Sequence, residues 1–157
     1  MAARHGLTGA ALASDVAPLA DLVETLLGCG AAVRAVHDPT RGGVATTCHE
    51  VARRSGLRMV LEEAALPVSG GVASVCQLLG LDPLYVACEG RLLAWVAEED
   101  AERALAALRG HPLGQGAARI GSVEDGEGGG VPVVLRTFYG SLRPLDLLAG
   151  VELPRIC

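Results

Sequence analysis

Ala118-Arg119-Ile120-Gly121-Ser122-Val123 and Val131-Pro132-Val133-Val134-Leu135 are two short apolar runs, separated by Glu124-Asp125-Gly126-Glu127-Gly128-Gly129-Gly130. β-branched segments either side of an acidic, glycine-rich stretch predict a β-hairpin over 118–135 with a loose tip. This reading decides the fold class. Strands and helices interleave upstream, which alone suggests a parallel sheet. An antiparallel hairpin near the end predicts instead an α+β fold, a mixed β-sheet covered by helices.

Working outward, Ala101, Ala104, Leu105 and Leu108 form the apolar stripe of a helix that Gly110-His111-Pro112 closes, and Arg91–Val96 reads as a strand. Val72, Val75, Cys76 and Leu79 recur at helical spacing up to Gly80. Leu57, Met59 and Leu61 alternate with Arg58 as in a strand, after a helix that Gly42-Gly43 opens and Gly56 ends. Ala32–Val36 is a further short strand. Leu19, Leu22, Val23, Leu26 and Leu27 mark the first helix, with Ser14-Asp15 expected as its N-cap and Pro18 in its first turn. The domain expectation is one domain over 1–150 and a tail over 151–157 carrying Cys157.

The composition narrows the function classes. Half of the 157 residues are apolar, enough for a sizeable core, but aromatics are confined to Trp95, Phe138, Tyr85 and Tyr139. Leu, Val and Ala must therefore build that core. A formal charge of −5 with scattered arginines argues against a nucleic-acid partner. Five cysteines without a Cys-x-x-Cys pair point to a reducing, cytoplasmic setting. No signal peptide and no apolar run of about 18 residues is read, so no membrane is expected as a partner.

Three places carry chemistry. Asp38-Pro39-Thr40-Arg41-Gly42-Gly43 leads into a helix whose first-turn N–H groups favour an anion, and paired glycines let the backbone approach a ligand closely. Asp38 could hold magnesium or water, Thr40 could donate to a phosphoryl oxygen, and Arg41 could neutralise developing charge. The plainer alternative is a turn at Asp-Pro capped by Thr40. In Leu81-Asp82-Pro83-Leu84-Tyr85-Val86-Ala87-Cys88-Glu89-Gly90, Glu89 is a carboxylate among apolar neighbours. Burial would raise its pKa and suit it to accept a proton, while an ordinary turn glutamate would face water. Cys88 beside it reads as core filler, and Asp82-Pro83 as a turn. The third place is Pro154-Arg155-Ile156-Cys157, where Arg155 favours a terminal thiolate; an incidental terminal cysteine is the alternative. His49-Glu50 begins a zinc-protease pattern, but Arg53 stands where the second His belongs, and His5, His37 and His111 have no spaced partners. No metal site is expected.

Asp-Pro-Thr-Arg-Gly-Gly, Leu-Gly-Leu-Asp-Pro-Leu-Tyr-Val-Ala-x-Glu-Gly, His-Pro-Leu-Gly and the ending Leu-Pro-Arg-Ile-Cys, in that order, resemble the HypE family of hydrogenase maturation proteins. That family is similar in architecture to aminoimidazole ribonucleotide synthetase and selenophosphate synthetase. The resemblance implies a C-terminal α+β domain, with the N-terminal ATP-binding domain expected to be absent from this chain and Met1–Ala13 left as a stub. Cys88 departs from the Asn usual in the family.

The resemblance also implies a chemistry. A carbamoyl group accepted by Cys157 from the carbamoyltransferase HypF is dehydrated to thiocyanate with ATP, and the cyanide passes to iron on HypC–HypD for the nickel–iron hydrogenase centre. It implies Glu89 as the base, Asp38, Thr40, Arg41, Gly42 and Gly43 near the phosphates, ATP and Mg2+ as cofactors, and a homodimer. The seven residues after Gly150 span at most about 25 Å. Two alternatives stand beside this: a catalytically inactive binding or dimerisation module, and another ATP-dependent synthetase of the superfamily. The isolated chain is expected to hydrolyse no ATP.

Overall fold

Met59-Val60-Leu61 and Val133-Val134-Leu135 are runs of three apolar residues that cannot lie on one face of a strand, and all six are buried. Each run is therefore covered on both sides. A computed structural model describes residues 13–126 and 130–147 and pairs these runs as parallel neighbours at the centre of a sheet.

The described elements are α1 (Ala20–Gly28), β1 (Val33–His37), α2 (Gly43–Ser55), β2 (Leu57–Glu62), α3 (Gly70–Leu79), β3 (Leu93–Val96), α4 (Ala101–Gly110), β4 (Gly121–Asp125), β5 (Val133–Arg136) and β6 (Leu142–Pro144). One sheet is four-stranded in the order β4-β2-β5-β6, and β1 and β3 form a two-stranded ribbon. The expectation of a mixed α+β fold holds, since β2 runs parallel to β5 and antiparallel to β4.

The expected hairpin does not form. β4 and β5 flank β2 on opposite sides and share no hydrogen bonds. β2 lies between them, antiparallel to β4 along one edge and parallel to β5 along the other, and Met59, Val60 and Leu61 are buried on both of its faces. β4 ends with Asp125 beside Leu57 and β5 begins with Val133 beside Met59, on the opposite edge of β2. The true hairpin is β5–β6, with Leu135 opposite Arg143. Its turn is closed by the Thr137 N–H donating to Ser141 O and the Gly140 N–H to Thr137 O, both at 2.8 Å.

Strand alternation divides the core. In β3, Leu93 and Trp95 pack with Ala45, Cys48, Met59, Leu61, Leu135 and Leu145. Ala94 and Val96 face the other way, onto Leu22 and Leu26 of α1 and Ala104 and Leu108 of α4. The ribbon is therefore sandwiched between the α1–α4 pair and the larger core under α2. Leu26, Leu135 and Leu145 are fully enclosed, and each such leucine contributes about 1.5–3 kcal/mol. Trp95 donates its indole N–H to the Met59 sulfur at 3.2 Å.

The first helix starts later than its sequence suggests. α1 begins at Ala20 with Leu19 as an N-cap lacking a side-chain bond, so neither Ser14 nor Asp15 caps it and Pro18 precedes it. Among the described residues no helix is long and apolar enough to cross a membrane.

Candidate active site

The loop between β1 and α2 turns on two successive glycines, Gly42 at φ 76° and Gly43 at φ 63°. A side chain is strained in that left-handed region. Space is short as well: a Cβ on Gly43 would lie 2.6 Å from the carbonyl oxygens of both Leu84 and Val86, and one on Gly42 would overlap the Thr46 side chain. The close approach these glycines permit is thus to the protein's own chain, and both are buried.

This contact joins the two motifs that stand 40 residues apart in the sequence. Residues 83–85 form a single 3-10 turn, capped by the Asp82 carboxylate, which accepts the Leu84 N–H at 2.9 Å. The Cys88 N–H donates to Pro39 O at 3.0 Å, tying the end of the second motif to the first. Tyr85 is buried beneath the junction and donates its hydroxyl to Asp146 O at 2.7 Å. Burial raises the Tyr85 pKa, as do the Asp82 and Asp146 carboxylates, against Arg143.

Around that frame, the polar side chains are accessible. Asp38 and Arg41 are exposed and Thr40 is half-buried. The Asp38 carboxylate lies 3.6 Å from His37 Nδ1, and His37 Nε2 lies 3.6 Å from Glu50 on α2. One guanidinium, one hydroxyl and one carboxylate on a single turn suit a magnesium-bound phosphate, because magnesium is held by one or two carboxylates plus the phosphates themselves. Among the described residues no three His, Cys, Asp or Glu side chains converge as a metal site of their own. Thr40 makes no side-chain cap; Gly42 is the N-cap of α2.

Glu89 is exposed, so the expected burial among apolar neighbours is not found and its carboxylate faces water. Its backbone is held, however: the Glu89 N–H donates to the Asp15 carboxylate at 3.1 Å. Sequence reasoning assigned Asp15 to helix capping and missed this contact, which no local pattern announces. Burial, then the Asp15 carboxylate, pushes the Cys88 thiol up, with Arg91 opposing and Glu89 adding. A half-buried thiol held protonated agrees with its reading as filler. His111 accepts the Leu113 N–H at 3.2 Å, a capping role. His49 instead contacts Leu145 O. Cys157 and His5 lie outside the described residues.

Residues 1–134 match the family model described as AIR synthase related protein, C-terminal domain. The chain belongs to this family. Within the AIR synthase related family, 145 residues are 54% identical to the carbamoyl dehydratase HypE of Cupriavidus necator, covering 92% of this chain and 40% of that protein. A crystal structure of HypE in complex with ATP superposes with a TM-score of 0.87 at 44% identity, over 99% of this chain and 48% of that one. A HypE–HypF complex gives 0.86 at 38% identity, over 94% and 47%. The resemblance of the four ordered motifs to HypE is borne out by these relatives. The chain thus spans less than half the length of the curated relatives it matches.

Proposed function

We propose that the chain is the C-terminal part of a HypE-type carbamoyl dehydratase and supplies three components of its reaction. Cys157 carries the carbamoyl group, received from a HypF-type carbamoyltransferase. Glu89 accepts a proton from the amide nitrogen. Asp38, Thr40 and Arg41, on the turn shaped by Gly42 and Gly43, meet the phosphates of ATP and its Mg2+.

The chemistry needs all three. An amide oxygen leaves only once phosphorylated, and the nitrogen must lose two protons for the carbon–nitrogen triple bond to form; the products are thiocyanate, phosphate and ADP. A carboxylate is a natural acceptor for those protons. Cyanide would then pass to iron on a HypC–HypD scaffold in the cytoplasm.

The observation that supports this reading is the joining of the two motifs: Gly43 against Leu84 and Val86, and Pro39 against Cys88, set the Asp38–Arg41 turn beside the loop bearing Glu89. A folded module of this size could also serve binding or homodimer formation alone, and the two readings differ in what Glu89 does. With Cys157 already carbamoylated, and ATP and an ATP-binding domain supplied, the chain loses one water from the adduct. Glu89→Gln retains the carbamoyl adduct unchanged. Dehydration of the Glu89→Gln adduct at the unsubstituted rate would falsify the role given to Glu89.

A further inference from the structure

The segment before α1 crosses the loop that carries Glu89. Asp15 accepts the Glu89 N–H through Oδ2 at 3.1 Å, from 74 residues away in the chain. At the next residue the main chains lie against each other: a Cβ on Gly90 would sit 1.5 Å from Asp15 O and 2.7 Å from Ala17 N. The strap itself is bent by Ser14, whose hydroxyl accepts the Val16 N–H at 3.3 Å. Since α1 starts only at Ala20, these contacts do no work for the helix. On the other side, the Cys88 N–H is held by Pro39 O at 3.0 Å. Residues 88, 89 and 90 are thus each fixed through the backbone, while the Glu89 side chain is exposed.

That arrangement is what a base on a loop requires. Glu89 has no helix or strand to set its Cα–Cβ direction, and a misplacement of about 1 Å costs about 100-fold in a reaction that depends on alignment. We propose that Asp15, with the strap over Gly90, is a positioning residue that fixes the main chain of Glu89 and so aims its carboxylate at the carbamoyl nitrogen.

The inference rests on Glu89 being the base, so the test reads the clamp and the base separately. In the protein carrying its ATP-binding domain, Asp15→Ala is expected to slow dehydration of the carbamoyl adduct about 10-fold, the effect of losing one hydrogen bond to a charged acceptor. Carbamoylation of Cys157 and the KM for ATP stay unchanged. Asp15→Asn retains an acceptor oxygen and recovers most of the rate. Amide hydrogen exchange of Glu89, followed by NMR, speeds up in Asp15→Ala and not in Asp15→Asn. Unchanged Glu89 exchange in Asp15→Ala overturns the clamp whatever the rate does. Equal loss of carbamoylation and dehydration overturns it as well, by making Asp15 merely structural. If Glu89→Gln dehydrates normally, the base reading and the positioning role fall together, while faster exchange in Asp15→Ala shows that the contact itself exists.

Discussion

Gly43→Ala tests the joint between the two motifs. A non-glycine residue at φ 63° costs about 1–2 kcal/mol from the clash of Cβ with its own carbonyl. The new methyl also meets Leu84 O and Val86 O at 2.6 Å and the Tyr85 carbonyl carbon at 2.9 Å. These are backbone atoms of a capped turn over a buried tyrosine, with no flexible end to swing aside, so overpacking adds about 1–3 kcal/mol. The sum is about 3 kcal/mol, or a fall in Tm of about 9 °C for a domain of this size. Gly56→Ala is the control, since Gly56 has φ 73° and open space around its Cβ position. It carries the conformational cost alone, about 1–2 kcal/mol. Urea unfolding followed by Trp95 fluorescence gives both values. Equal destabilisation by the two substitutions would refute the claim that Gly43 is there for the approach of residues 84–86.

Three further outcomes follow from the packing and from one buried thiol. Leu145→Ala and Leu26→Ala, each emptying a fully enclosed site in a different half of the core, cost about 3 kcal/mol each and add within about 0.5 kcal/mol when combined, as chemical denaturation of the double variant checks. Tyr85→Phe removes the hydroxyl bond to Asp146 O and costs about 1 kcal/mol in the same assay. Burial pushes the Cys48 thiol from 9.0 up to about 12. A raised folded pKa means full stability below the unfolded value, lost as pH rises through the folded one. Stability therefore declines between pH 9 and about 12, and Cys48→Ala flattens that decline in unfolding midpoints taken from neutral to strongly alkaline pH.

Helices and turns were the legible part of the sequence. α2 ends at Gly56 in the left-handed conformation and α3 at Gly80 likewise, as their glycines indicate. Asp82-Pro83 and His111-Pro112 each start a short capped turn. Strand order was not legible from spacing. The alternation of Leu57, Met59 and Leu61 passes over Val60, although Met59, Val60 and Leu61 are buried consecutively in a strand that lies second in the sheet order. The same triplet in β5 marks a second strand covered on both faces, but which strands pair is set by contacts that a run of this kind does not record. β6 is only three residues long, Leu142, Arg143 and Pro144, too short for an alternation to show. The glycine pair and the carboxylate singled out in the sequence lie on two loops that the structure brings into contact. Their mutual contact, and the bond from Asp15 to Glu89, depend on chain segments 40 to 74 residues apart, where a local pattern carries no information.

The most direct measurement is the intact mass of this chain, and of Cys157→Ala, after incubation with a HypF-type carbamoyltransferase, carbamoyl phosphate and ATP, with and without a supplied ATP-binding domain. The account predicts a carbamoyl adduct confined to Cys157, converted to the adduct lacking one water only when the second domain and ATP are both present. An adduct that persists in Cys157→Ala, or none on either protein with the second domain supplied, would contradict it.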